Sequence, residues 1–484
     1  MSPIEIPSIQ LSTIAPELIV AVTAVVILSL DMLIPRVERI NVTLITLIGL
    51  LVAIYSTRNL VDVNEPAFSW MILRDNVSVF LDLLFLKGTI LIVLLSHHYA
   101  ARHQLPYPEM MVLLLFATLG MMVVAISADL VTLFLGIELL SLCLYVLSGF
   151  DRRSLLSGEA GIKYFLLGAF STGFFVYGLG FIFGICRTTN LITISASVTA
   201  ETPVSPLLLL GFALIFVGLG FKISLVPFHM WAPDVYQGAP TPITAWIATG
   251  SKVAGFVALL RIFLLPGTSF APLAAYWVNA IWWLALLTMI VGNLGALVQK
   301  DIKRMLAYSS IAHGGYLSMA FVSHNVLGMS AILFYMYAYL LMTIGAFGVV
   351  IAVGREGEDR KLISDFAGLA RRRPVMAGLM TLFLLSLAGM PPTVGFFGKV
   401  WLFGAAIQAH YYGLAVAGIL TTLFSFYYYL RVTVYMYMHE EEKEEEMEPV
   451  SFANGLALWA SALGVVMLGC FPNYWWDYFS RWFE

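Results

Sequence analysis

Fourteen apolar runs, each about 20 residues long and so able to cross a hydrocarbon core of about 30 Å as a helix, follow one another along the chain with little between them. They are centred near residues 24, 48, 86, 117, 137, 172, 217, 251, 286, 315, 340, 384, 422 and 460. Only 11% of the residues are charged and 60% are hydrophobic, against roughly 25% charged in an ordinary soluble domain. The fold class expected is an all-α polytopic membrane protein of about 14 transmembrane helices, with no aqueous domain. Residues 1–10 carry no basic side chain and the first apolar run, residues 14–34, is long enough to span, so no cleaved signal peptide is expected.

Positive charge orients these spans. Fifteen Lys and Arg fall in loops after odd-numbered spans, in residues 36–39, 102, 152–153, 300–304, 355–373 and at Lys443. Loops after even-numbered spans, together with the tails, hold only Arg58, Arg74, Arg187 and Arg481. Basic loops stay in the cytoplasm, so both termini are expected on the opposite side. The acidic run from Glu440 to Glu448 reads as a solvated loop without chemistry.

Two spans are interrupted. The seventh contains Lys222, Pro227 and His229 and runs on through Pro233, Gly238, Pro240 and Pro242; the twelfth contains Pro391, Pro392, Gly395 and Lys399. Proline removes a backbone donor and clashes with the preceding turn, so both helices should break. Broken backbone at membrane depth survives only where protein or a wet cavity satisfies it. A matching pair of Gly/Pro-interrupted spans is also the mark of an inverted repeat with its binding region between the halves. Five helices separate the breaks. The expected organisation is helices 1–3 in residues 1–105, two inverted five-helix repeats (helices 4–8 and 9–13) in residues 106–265 and 266–440, and the acidic loop with helix 14 in residues 441–484.

Ionisable groups inside the spans carry the functional reading, because a charge in lipid costs several kcal/mol unless it faces a partner or water. Lys222, Lys252 and Lys399 are the most isolated in sequence, on three separate spans. Glu138, Ser141 and Tyr145 recur at i, i+3 and i+7 and share one helix face. A carboxylate stabilises an ammonium and desolvation destabilises it, so a lysine facing a movable Glu can alternately hold and release a proton. The bland alternative is an ion pair that locks two helices. His313 and His229 suit a proton shuttle or a hydrogen-bonding role equally well. Lys163, near the start of its helix, can snorkel to the interface. Asp82 and Lys87 are expected to pair with each other, and Asp31 and Arg261, near helix ends, read as structural.

Other chemistry is not expected. Cys143, Cys186 and Cys470 lack the short spacings of zinc or iron–sulfur ligands. His97, His98 and His103 have no carboxylate or cysteine at ligand spacing, so no metal is assigned to them. No phosphate loop or dinucleotide fingerprint occurs, so the chain should bind no NADH, flavin or ATP.

Residues 212–242, including the string Gly-Leu-Gly-Phe-Lys222-Ile-Ser-Leu-Val-Pro-Phe-His229-Met-Trp-Ala-Pro-Asp-Val-Tyr-Gln-Gly-Ala-Pro-Thr-Pro242, resemble the antiporter-like membrane subunits of respiratory complex I. The segments 293–315 and 387–399 are similar to the subunit N branch of that family, and the resemblance is strongest over residues 113–431. It implies fourteen helices with two inverted five-helix units in a bacterial inner membrane. It also implies that Glu138 and Lys222 form a coupling ion pair, that Lys252 is the central proton carrier, and that Lys399, an acid in some sister subunits, is the exit-side residue. By the same resemblance FMN, iron–sulfur clusters, NADH and quinone belong to partner subunits. The partners of this chain would be neighbouring membrane-arm subunits, lipid and protons, with no nucleic acid. Two rivals stay open at this point: a subunit of a multi-chain cation/proton antiporter, and a helix bundle that only completes the arm.

Overall fold

The computed structural model describes residues 10–34, 38–198, 204–264, 273–354, 359–440 and 448–483. Arg36, Arg355, Lys443 and most of the acidic run lie outside them. Helices α1 (Ala15–Leu33) and α2 (Arg39–Arg58) lead to a hairpin of β1 (Glu65–Ala67) and β2 (Ile72–Arg74). Then come α3 (Asn76–Arg102), α4 (Tyr107–Ile126), α5 (Leu130–Ser148), α6 (Leu155–Cys186), the short α7 (Leu191–Ser197), α8 (Pro206–Lys222) and α9 (Ala232–Gly238). The chain continues through α10 (Thr241–Trp246), a π-helical turn (Ile247–Ser251) and α11 (Lys252–Phe263). The rest is α12 (Ala274–Leu297), α13 (Ile302–Ser323), α14 (Val326–Val353), α15 (Leu369–Arg372), α16 (Pro374–Ala388), α17 (Val394–Gln408), α18 (Tyr412–Met438), α19 (Phe452–Cys470) and α20 (Pro472–Ser480). By length and composition, 11 helices among the described residues can cross a membrane. All fourteen expected centres fall within helical segments.

Apolar runs alone do not say which helix is central, since lipid accepts apolar side chains as readily as the core does. Packing does. The continuous segment Thr241–Phe263 is 100% buried, whereas α6 is 28% buried over its most apolar window and turns Phe170 and Tyr177 outward. Helices α3 and α14, each 89% buried, flank the central segment. Gly255 lets α8 approach it: a Cβ there would stand 2.5 Å from Ile223 Cγ2 and 3.3 Å from Lys222 Cγ.

At one end of the bundle the structure corrects two expectations. Arg74, assigned to a solvent loop, is buried on β2, and Asp82 pairs with it rather than with Lys87. Positions five apart on a helix point about 140° away from each other, so Asp82 and Lys87 face different neighbours; Lys87 Nζ lies over the Tyr337 ring at 5.7 Å. Arg74 Nη1 donates to Asp82 Oδ2 at 2.5 Å, and its Nη2 to Glu17 Oε1 at 2.7 Å and Thr13 O at 2.6 Å. Arg261 Nη1 and Nη2 donate to Asp75 at 2.6 and 2.8 Å, tying α11 to the start of α3.

Both expected breaks occur, with the same backbone motif. After α8, the Leu225 N–H donates to Gly220 O and Ser224 N–H to Phe221 O, with Ser224 at φ 60°. After α16, the Met390 N–H donates to Leu385 O and Gly389 N–H to Ser386 O, with Gly389 at φ 90°. This is the Schellman closure, whose left-handed residue normally is Gly. A second matched pair lies at the helix starts. Leu130 N–H donates to Thr189 O and Leu191 N–H to Ala128 O, while Ile302 N–H donates to Lys361 O and Ile363 N–H to Lys300 O. In each pair an Asp, Asp129 or Asp301, caps the following helix with its side chain.

Candidate functional site

The break after α8 leaves Lys222 at a helix end inside the bundle. Its ammonium Nζ donates to Ser141 Oγ at 2.9 Å and lies 5.7 Å from the centre of the Tyr164 ring. Tyr164 is held by a parallel stack on Trp231, ring centres 4.4 Å apart. Glu138, Ser141 and Tyr145 face one cavity with Lys222, as their helical spacing requires. Glu138 and Lys222, however, form no direct ion pair among the described residues. Glu138 Oε2 accepts from Thr172 Oγ1 at 3.0 Å, and Ser141, one turn further along α5, occupies the position next to the lysine. Glu138 is half-buried while Lys222 is buried, so the acid sits on the outer side of the cavity.

Lys252 stands at the junction of the π turn and α11, buried on every side. A π turn inserts a residue into the helical ladder and often marks a functional position. Lys252 Nζ donates to the main-chain Ser310 O of α13 at 2.5 Å. A Cβ on Gly314 would be 3.8 Å from that nitrogen and 3.3 Å from Ile223 O, so this glycine lets α13 approach both Lys252 and the backbone just after α8. Ser310 Oγ also shares a hydrogen bond with Tyr236 OH at 3.3 Å.

His313, one turn on from Ser310, is enclosed by tyrosines. Its Nδ1 shares a hydrogen bond with Tyr335 OH at 2.5 Å and its Nε2 with Tyr429 OH at 3.2 Å, and Tyr429 bonds in turn to Ser309. Tyr316, three residues along α13, carries its ring 5.7 Å from the imidazole and 5.1 Å beneath Lys399 Nζ. Lys399 Nζ donates to Leu387 O at 2.9 Å and Ala388 O at 2.8 Å, two carbonyls at the broken end of α16. The second break therefore supplies the acceptors for its own lysine. Gly389 packs against that side chain: a Cβ there would meet Lys399 Cδ at 3.0 Å. Gly389→Ala puts a Cβ on a left-handed residue at a cost of about 1–2 kcal/mol and pushes Lys399 from its carbonyls. The expected result is a lower melting temperature of the purified assembly and slower proton movement; unchanged values in both would refute the packing argument.

Other residues singled out from sequence lie off this line. His229 is half-buried beyond the first break, with its Nδ1 lacking a partner among the described residues. Lys163 Nζ pairs with Glu159 and Asp234, each at 2.6 Å, and Asp234 pairs with Arg304 at 2.6 Å. That cluster fastens α6 to α9 and α13. Among the described residues no group of three His, Cys, Asp or Glu is placed to hold a metal. Sequence reading missed Tyr335 and Tyr429, which hydrogen-bond His313, Ser309, which bonds Tyr429, and Ser310, which holds Lys252. The run Tyr308-Ser309-Ser310 beside His313 is the one local signal for them.

Comparison with known proteins adds a family. The family described as NADH:quinone oxidoreductase/Mrp antiporter, TM, matches residues 127–425. NADH-quinone oxidoreductase subunit N of Trichlorobacter lovleyi is 46% identical over 467 residues, covering 96% of this chain and 95% of the relative. A chain of respiratory complex I from Thermus thermophilus with bound aureothin superposes with a TM-score of 0.81 at 34% identity, covering 96% of this chain and 98% of that one. A chain of the Mrp complex from Dietzia superposes with a TM-score of 0.84 at 20% identity, covering 98% and 97%, a likeness of fold.

Proposed function

Because this chain belongs to the NADH:quinone oxidoreductase/Mrp antiporter membrane family, and within it to the subunit N family of NADH-quinone oxidoreductases, we propose that protons cross the bilayer along its half-buried Glu138 and its buried Lys222, Lys252, His313 and Lys399. It is an antiporter-like membrane-arm subunit of complex I, a multi-pass protein of the bacterial inner membrane, and its partners are the other membrane-arm subunits. In this reading electron transfer takes place in partner subunits, which hold FMN, the iron–sulfur clusters, NADH and quinone, and this chain supplies the ion movement. Counting the two broken helices and α13 with the eleven long spans gives fourteen. Helices 4–8 and 9–13 then form inverted repeats, a reading supported by the matched breaks and the matched bridges at Asp129 and Asp301. Loop charge puts both termini outside the cytoplasm.

The observation that carries the proposal is the order of the lysines. Each is buried, each contacts neutral oxygens, and α13 touches the sites of two of them. In the cycle, a perturbation at the half-buried Glu138 alters the field on Lys222. Lys222 passes its proton inward to Lys252, and Ser310, His313 and Tyr429 with intervening water lead on to Lys399. Moving one charge against about 100 mV takes about 2.3 kcal/mol. Making or removing one carboxylate–ammonium contact in a low-dielectric site is of that size or larger, so one such rearrangement suffices. The same fold serves multi-chain cation/proton antiporters, but the near-full-length 46% identity to a subunit N favours complex I.

Lys222→Ala and Glu138→Gln, introduced in the intact complex and reconstituted in vesicles, test the route. Both should lower the proton-to-electron ratio, Lys222→Ala the more strongly, while the peripheral arm still copurifies. Wild-type ratios in both variants would refute the relay.

A further inference from the structure

Away from the line of lysines, the ends of four segments bury a second cluster of ionisable groups. Asp359 Oδ2 accepts from Thr241 Oγ1 at 2.6 Å and from Tyr99 OH at 3.1 Å, and Lys303 Nζ lies 3.8 Å away. The other oxygen, Oδ1, is 3.4 Å from His103 Nε2 and 3.8 Å from Arg102 Nη2. Among the described residues these three atoms are buried and lack a hydrogen-bond partner. The His103 ring stacks on Tyr99 with centres 4.1 Å apart, and Arg153 donates to the His103 carbonyl. Burial alone would raise the pKa of Asp359; the adjacent His103, Lys303 and Thr241 override it and hold the carboxyl well below the usual range, so it stays ionised. Beside the pair a cavity is lined by Tyr99, His103, Asp151, Ser154, Lys303 and Lys361.

The position of the cluster relates it to the lysines. Thr241 opens the helical segment that carries Lys252 eleven residues further on, about 16 Å along its axis. Over that interval Trp246 Nε1 and Ser251 Oγ are buried and without a hydrogen-bond partner among the described residues, the setting in which buried waters are held. Lys303 is fixed on Ala239 O at 2.6 Å and Arg102 on Ile351 O at 3.1 Å, so both cations are anchored beside Asp359.

We propose that His103 and Asp359 form a proton-collecting port that supplies Lys252 from the side that loop charge assigns to the cytoplasm, an inference that rests on the relay proposed above. His103 Nε2 takes a proton from cytoplasmic water or a buffer acid and becomes an imidazolium paired with Asp359. It then gives that proton to the water leading to the neutral amine of Lys252, which becomes an ammonium as the imidazole returns to neutral.

The test uses inside-out membrane vesicles containing the whole complex, in which the cytoplasmic face is exposed, with NADH-driven proton uptake followed from about pH 6 to about pH 8.5, the range in which imidazole titrates. His103→Ala should lower uptake per NADH by about threefold or more at the alkaline end, where proton donors are scarce, and leave it near wild type at the acid end. Imidazole added to the medium should restore the alkaline rate. Asp359→Asn should show the same alkaline loss and Asp359→Glu should retain function. A wild-type pH profile in His103→Ala with normal copurification of the arm overturns the port. If Asp359→Asn does not assemble, His103→Ala and its response to imidazole decide the matter. Lys252→Met inactive at every pH beside an unaffected His103→Ala would leave the relay standing without this port; if both pump like wild type, the relay falls as well.

Discussion

Lys252→Met in the intact complex is expected to reduce proton pumping in reconstituted vesicles by about tenfold or more, equivalent to at least about 1.4 kcal/mol, with assembly preserved. Two separate facts lead to that combination. The ammonium is buried within a helical segment surrounded on all sides, and its one hydrogen bond goes to the Ser310 carbonyl, with no carboxylate beside it among the described residues. A charge in that setting is costly, so methionine of similar length removes a burden rather than a support and should leave folding unharmed. A structural lysine would behave in the reverse way: its loss would lower the melting temperature and leave pumping per electron unchanged. Measuring both properties on one preparation separates the alternatives, and wild-type pumping by Lys252→Met would refute the central place of this residue.

Arg74→Met is expected to act on stability and not on the relay. Arg74 is enclosed with Glu17 and Asp82, whose side chains are 6% and 0% exposed, and it also donates to Thr13 O. Removing one member of a buried ionic group leaves the others uncompensated, at about 3–5 kcal/mol, and here two carboxylates would remain. The purified assembly should lose yield and melt at a lower temperature. The triple variant Arg74→Met, Glu17→Gln, Asp82→Asn should recover part of that loss, because neutral partners no longer need the guanidinium. Arg74→Lys should not rescue, since one ammonium cannot replace the forked donors that reach both acids and the carbonyl. Wild-type melting of Arg74→Met would show that the cluster contributes nothing.

These two residues illustrate what sequence could reveal. Lys252 stood out because it lies more than two helical turns inside an apolar run, where snorkelling cannot reach water. Arg74 looked like an ordinary loop residue after an even-numbered span. The signal that it is buried was Asp82, an acid in the apolar third span, but the nearest basic residue in sequence, Lys87, points elsewhere. Glu138 and Ser141 were legible as one stripe. That Ser141 rather than Glu138 touches Lys222 was not, because the choice depends on how α5 rotates against α8. His313 was legible and its tyrosine cage was not: Tyr335 and Tyr429 come from positions 22 and 116 residues away.

The sequence by itself determined the class, an all-α polytopic membrane protein, together with the two breaks and the three buried lysines. Lipid makes that possible, because a local apolar length and a local proline act before any tertiary contact forms. Tertiary structure decided which polar groups meet: Arg74 with Glu17 and Asp82, Lys399 with the carbonyls of α16, and Tyr99 with Asp359 across 260 residues of chain. Apolar helices of similar length are interchangeable in a bilayer. Only their packing, through close approaches such as Gly255 on Ile223, selects the neighbours and so the partner of each buried charge.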